Sequence, residues 1–113
     1  MKEGEIVLTH LPQSDGSIKL RPVLLLKKLP GYNDFLVCGI STQRHQYING
    51  FDELIDTKDK NFLQTGLRQS SIIRLSFLAV IPSNKMPGGI GKIEPLIHRN
   101  LLERLANYLV SGN

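Results

Sequence analysis

Five consecutive residues, Pro22-Val23-Leu24-Leu25-Leu26, carry no polar side chain and lie between Arg21 and the pair Lys27-Lys28. A short apolar run bounded by charge is the pattern of a β-strand covered on both faces. The chain must therefore place a packed layer on each side of this strand. Pro22 stands at its start, where a missing N–H is tolerated, and biases Arg21 toward an extended backbone. One guanidinium is thus held at the mouth of the most buried strand.

The remaining segments arrange themselves around it. Glu5 to Leu11 alternates as a first strand, and Pro12-Gln13-Ser14-Asp15-Gly16-Ser17 is a turn-rich loop. Phe35 to Ile40 reads as a third buried strand ending in Ser41-Thr42-Gln43, followed by a polar loop from Arg44 to Gly50. Phe51 to Ile55 and Asp56 reads as a short edge strand whose acids, Asp52, Glu53 and Asp56, face solvent and blunt unwanted pairing. Thr57 to Gly66 reads as a loop with one helical turn. Ser70 to Ile81 is the second long β signal, and alternation puts Arg74 and Ser76 on one face. Pro82 to Gly91 reads as an irregular connection, with Ile90 to Ile93 as a last short strand.

The period then changes. Ile97, Leu101, Leu102, Leu105, Tyr108 and Leu109 recur at helical spacing, with Pro95 in the first turn and Gly112 past the end. Five to seven short strands and one terminal helix give an α+β, mainly β chain: a small curved sheet or barrel capped by a helix.

With 113 residues the chain has room for one domain, residues 1–113, around one core. No apolar run approaches the ~20 residues of a membrane-spanning helix, and the N-terminal Met1-Lys2-Glu3-Gly4-Glu5 lacks a signal-peptide core. The expectation is a cytoplasmic protein with no membrane partner. Cys38, alone between Val37 and Gly39, reads as a small buried hydrophobe. His10, His45 and His98 are scattered without ligand spacing, so no metal and no cofactor is expected. The formal charge of +4 suits an anionic partner.

The side chains with chemical potential are few. Arg21 reads either as a surface arginine or as a fixed anion ligand. Arg74 interrupts an apolar β run and must face a rim, a cleft or a partner. Ser41, Thr42 and Gln43 leave the end of a buried strand together, which also describes ordinary turn chemistry. His10 precedes the loop to Arg21 and reads either as a structural histidine or as a proton shuttle. From the residues alone, an RNA-binding barrel and an RNA-cleaving barrel fit equally.

The order of the motifs is more specific than any one of them. Gly4-Glu5-Ile6-Val7, Asp15-Gly16-Ser17 leading to Arg21-Pro22-Val23-Leu24, Ile40-Ser41-Thr42-Gln43, Gly66-Leu67 to Ser71-Ile72-Ile73-Arg74, and Ile90-Gly91-Lys92-Ile93 together resemble the MazF/PemK family. These are the toxins of type II toxin–antitoxin systems. The resemblance implies an SH3-like barrel with a C-terminal helix and a homodimer. It also implies a sequence-specific, metal-independent endoribonuclease of the mRNA interferase type, acting on single-stranded RNA and restrained by an acidic antitoxin.

On this resemblance Arg21 matches the catalytic arginine of an Arg-Pro motif, Ser41 or Thr42 the hydroxyl at the end of the third strand, and Arg74 a second arginine that some members use. Lys19, Gln43, Arg44 and Tyr47 flank these positions and are expected to contact RNA, with Tyr32 and Phe51 as further stacking candidates. The chain also departs from the family pattern. Ser76 stands where members with that second arginine carry an aspartate, and the loop before Arg21 lacks a Gly-Ser-Glu-Gln stretch. His10 and Asp15 are positional stand-ins for the base, and Ser76 completes the catalytic candidates. Two alternatives accompany this reading. One is a barrel that binds RNA or antitoxin without cutting. The other is a gyrase poison, whose hallmark C-terminal tryptophan is missing from a chain with no Trp.

Overall fold

The computed structural model describes residues 1–112. Six strands are joined in one antiparallel sheet: β1 (Glu5–Pro12), β2 (Ile18–Lys28), β3 (Asp34–Ser41), β4 (Glu53–Ile55), β5 (Ser71–Pro82) and β6 (Gly88–Lys92). Helix α1 (Pro95–Ser111) follows. The sheet order is β4-β5-β3-β2-β1-β6, so the strands do not close on themselves and form a strongly curled half-barrel. The fold is α+β, mainly β, as the sequence pattern indicates.

The curl has a visible cause in the register. The β2–β3 pairing shifts around Leu26, between Leu25↔Val37 and Lys27↔Leu36. The β1–β6 pairing shifts between Ile6↔Gly91 and Val7↔Gly89. The largest break lies between β3 and β5, where Gly39 pairs with Arg74 and Cys38 with Leu78, leaving Leu75, Ser76 and Phe77 out of register. Extra residues on one strand bend it and increase its twist.

Both faces of β2 are covered. Leu24 and Leu26 join Ile6, Cys38, Ile73 and the helix residues Leu101 and Leu105 in one core cluster. Val23 and Leu25 join Val7, Phe35, Val37 and Ile81 in the other. Burying each such leucine contributes about 1.5–3 kcal/mol. The helix is fixed to β2 by His98, whose Nε2 lies 2.8 Å from the Leu26 carbonyl. Pro95 opens it, and Gly112, with φ 75°, ends it by donating its N–H to the Tyr108 carbonyl.

Three expectations are corrected. Asp52 is not part of a solvated edge: it is buried and accepts from the backbone amides of Ile48 and Leu75. Gly88 and Gly89 belong to β6 and pair with Leu8 and Val7, where an irregular connection was expected. Arg74 and Ser76 do not share a cleft-lining face, because the register break at Leu75 interrupts simple alternation.

Candidate functional site

One concave surface of about 640 Å³ opens where the ends of β1, β2 and β3 meet the loop before β5. Its geometry follows from the ladder. Arg21 pairs with Thr9 and lies two residues from Val23, which pairs with Gly39, which in turn pairs with Arg74. Side chains two apart on a strand share a face, so Arg21 and Arg74 emerge on the same side of the sheet. Between them β3 carries Gly39, which has no side chain. The ring of Phe77, which also lines the cleft, packs over that position, with Cδ1 3.0 Å from where a Cβ on Gly39 would stand.

Arg21, Arg68 and Arg74 all line this cleft, and no Asp, Glu or His does. Arg21 is exposed, and among the described residues its one side-chain hydrogen bond is a long one to Gln13 Oε1 at 3.4 Å. Arg74 is half-buried, and its Nε is buried with no hydrogen-bond partner among the described residues. A buried donor left unpaired costs about 1–3 kcal/mol.

Ser41 and Thr42 both line the cleft but differ in what they are free to do. Ser41 Oγ donates to Gln46 Oε1 at 3.1 Å and accepts from the Gln43 N–H at 3.0 Å. It caps the turn after β3, as strand-end serines do. The exposed Thr42 is left as the hydroxyl able to turn toward a ligand. Gln43 also lines the cleft.

The other candidates lie elsewhere. His10, Lys19, Arg44, Tyr47 and Ser76 are exposed and are not among the cleft-lining residues. His10 pairs with Leu20 near the far end of the hairpin. Asp15 is fully exposed at the loop tip, and its Oδ1 accepts from Ser17 Oγ at 2.6 Å and from the Ser17 N–H at 2.9 Å. The Ser17 hydroxyl, and then its amide, hold the carboxyl below its ordinary range, which makes Asp15 a weaker proton acceptor. Burial, aided by the Asp52 charge, pushes the Cys38 thiol up and leaves it no nucleophile. Among the described residues no group of three or more His, Cys, Asp or Glu could hold a metal ion. No helix is long and apolar enough to cross a membrane.

Arg68 and Gln13 are among the cleft residues that the sequence did not single out. Arg68 follows Gly66, which turns with φ 73°, and stands just before β5. A basic residue between such a turn and a buried strand is the signal that marks it.

No family model matches the sequence, and neither does any curated protein. Solved structures do match in fold. A Mycobacterium tuberculosis toxin, MazF-mt6, superposes with a TM-score of 0.68 at 23% identity, over 94% of this chain and 96% of that one. An endoribonuclease in complex with its cognate antitoxin, from a mycobacterial species, gives 0.71 at 12% identity, over 97% and 95%. A further M. tuberculosis toxin gives 0.58 at 21% identity, over 88% and 97%. The chain thus has the fold of these toxins along nearly its whole length.

Proposed function

We propose that the chain is the toxin of a type II toxin–antitoxin pair, an endoribonuclease that cuts single-stranded RNA at particular sequences without a metal ion. On this reading it works in the cytoplasm as a homodimer and is held inactive by an acidic antitoxin. The observation that carries the reading is the cleft in which Arg21, Arg68 and Arg74 converge with no carboxylate beside them. The likeness in fold to a MazF toxin and to an endoribonuclease bound to its antitoxin supports it.

The reaction asks little covalent chemistry of the protein. The RNA 2′-oxygen attacks the adjacent phosphorus and loses its proton, while the bond from phosphorus to the 5′-oxygen breaks and that oxygen gains a proton. The products are a 2′,3′-cyclic phosphate and a free 5′-hydroxyl. Negative charge gathers on the non-bridging oxygens in between. Arg21 and Arg74, rising on either side of Gly39, are placed to receive it through bidentate hydrogen bonds. Each donor aimed at developing charge is worth on the order of 10²–10³ in rate. Thr42 donates to the same phosphate, and Ser41 holds the turn that presents Thr42 and Gln43. No residue lining the cleft of one chain is a base near neutral pH, so the 2′ proton leaves to solvent or to a group outside it.

That last feature favours a second reading, a barrel that binds RNA or antitoxin without cutting it. Sequencing of RNA ends after incubation with wild-type protein and with Arg21→Ala separates the two. Cuts with 5′-hydroxyl ends that vanish in the variant support the nuclease. Intact RNA across a diverse pool, without added metal, leaves the binding barrel.

A further inference from the structure

Asp52 stands immediately before the edge strand β4 and is only 3% exposed. Burial of a carboxylate is costly unless its oxygens are satisfied. Both are: Oδ2 accepts from the Ile48 N–H at 3.0 Å, and Oδ1 from the Leu75 N–H at 3.1 Å. The β4–β5 ladder begins at Glu53↔Ile73. The amide of Leu75 lies past that pair, and the carboxylate takes the place of the strand that is not there. Leu75 is also the first residue of the stretch in which β5 leaves its register with β3. The residue just before it is Arg74.

The segment that carries Asp52 is itself clamped. Arg104 of α1 donates to the carbonyls of Phe51 at 2.9 Å and Asp52 at 3.2 Å, and its NH2 pairs with Glu53 Oε1 at 3.1 Å. A chain of contacts thus runs from the helix through residues 51–53 to the Leu75 amide. It ends at the base of Arg74, whose Nε is buried and has no hydrogen-bond partner among the described residues. Arg74 is held from the β3 side by its pairing with Gly39 and from the β4 side through this carboxylate.

We propose that Asp52 is a positioning residue for Arg74: its carboxylate fixes the backbone at Leu75 and so sets the direction in which the Arg74 guanidinium enters the cleft. The proposal rests on the reading that Arg74 binds RNA phosphate. A carboxylate suits the task because it accepts two amide bonds at once. Asparagine accepts through one oxygen only, so Asp52→Asn keeps one of the two bonds and Asp52→Ala neither.

The test uses the full chain as wild type, Asp52→Asn, Asp52→Ala, Arg74→Ala and the double variant Asp52→Asn/Arg74→Ala, at a temperature where circular dichroism shows each folded. Affinity is measured for a pool of single-stranded 2′-O-methyl RNA, which can be bound but not cut. Asp52→Ala is expected to weaken binding by about fivefold to tenfold and Asp52→Asn by less, with no further loss from Asp52→Asn once Arg74 is alanine. Equal losses from Asp52→Asn in the presence and absence of Arg74 overturn the proposal, because a purely structural role acts on both alike. The Arg74 Nε–H resonance supplies a readout free of RNA. It is expected to shift in Asp52→Asn, and an unmoved resonance also overturns the proposal. Cleavage of ordinary RNA by the wild type is scored separately, so its absence counts against the nuclease and not against the coupling of Asp52 to Arg74.

Discussion

Gly39 on β3 stands directly opposite Arg74 on β5, and a Cβ placed on Gly39 would lie 3.0 Å from Cδ1 and 3.1 Å from Cγ of Phe77. The Phe77 ring therefore covers the position where a side chain would rise between the arginines. Phe77 is 37% exposed and can swing away from a single methyl group. Gly39→Ala is expected to change stability by no more than about 1 kcal/mol, whereas the larger side chain of Gly39→Val must displace the Phe77 ring within the cleft. Fluorescence anisotropy with labelled single-stranded RNA should show near wild-type affinity for the first and at least about a tenfold loss for the second. Unimpaired binding by Gly39→Val would show that RNA does not use the cleft surface around Gly39 and Phe77.

Arg21 is exposed and held by one long contact to Gln13, so its removal should leave the fold alone. The expected stability change for Arg21→Ala is within about 0.5 kcal/mol by urea melts, while cleavage falls by at least about 100-fold. Arg21→Lys keeps the charge without the planar fork and should recover only part of the rate. A variant that still cuts at the wild-type rate excludes Arg21 from the chemistry.

Three arginines line the cleft, and each phosphate they neutralise releases counterions from the RNA. Removing Arg68 or Arg74 should reduce the slope of log affinity against log salt by about 0.7 for single-stranded RNA. Lys2, exposed and outside the cleft-lining set, is the control whose replacement should leave the slope in place. A slope indifferent to Arg68 and Arg74 would move the phosphate path off this surface.

Asp15 carries a depressed carboxyl pKa, caused first by the Ser17 hydroxyl and then by the Ser17 amide. A depressed carboxylate contributes stability above its unfolded value, and that contribution is lost as pH falls through its folded value. Any such contribution of Asp15 is therefore present in full around neutrality, and the pH dependence it adds to stability is confined to acid at and below the ordinary carboxylate value of 3.8. The pH–rate profile of Asp15→Asn should overlay the wild type around neutrality. A lost ascending limb in that variant would instead make Asp15 the base.

Much of the scaffold was legible because it rests on local pattern. The apolar run from Pro22 to Leu26 divides between two core clusters as a doubly covered strand must. Pro95 and Gly112 mark the helix ends by the conformations they favour. Arg21, Ser41, Thr42, Gln43 and Arg74 were legible as cleft residues because strand ends and interruptions of apolar runs point to rims. The rest depends on register between strands distant in sequence. Leu75-Ser76-Phe77 contains no glycine or proline to announce that β5 slips there against β3, so Ser76 was grouped with Arg74. Asp52 looked solvated beside Glu53 and Asp56, and its burial is explained by the amides of Ile48 and Leu75, from which its carboxylate accepts. His10 and Lys19 lie on the β1–β2 ladder toward its turn, and Arg44 and Tyr47 in the turn that follows β3, and all four are exposed.

The order of synthesis gives the helix a further consequence. All three cleft arginines leave the ribosome before α1 does, yet Leu101 and Leu105 of α1 close the same core as Ile6, Leu24 and Leu26. At about 5–20 residues per second, α1 trails Arg74 by seconds. During that interval the growing chain holds its basic side chains on a sheet with one side still wet. On the proposed reading, the sheet that presents these arginines to RNA gains its second covering layer only once the helix has emerged.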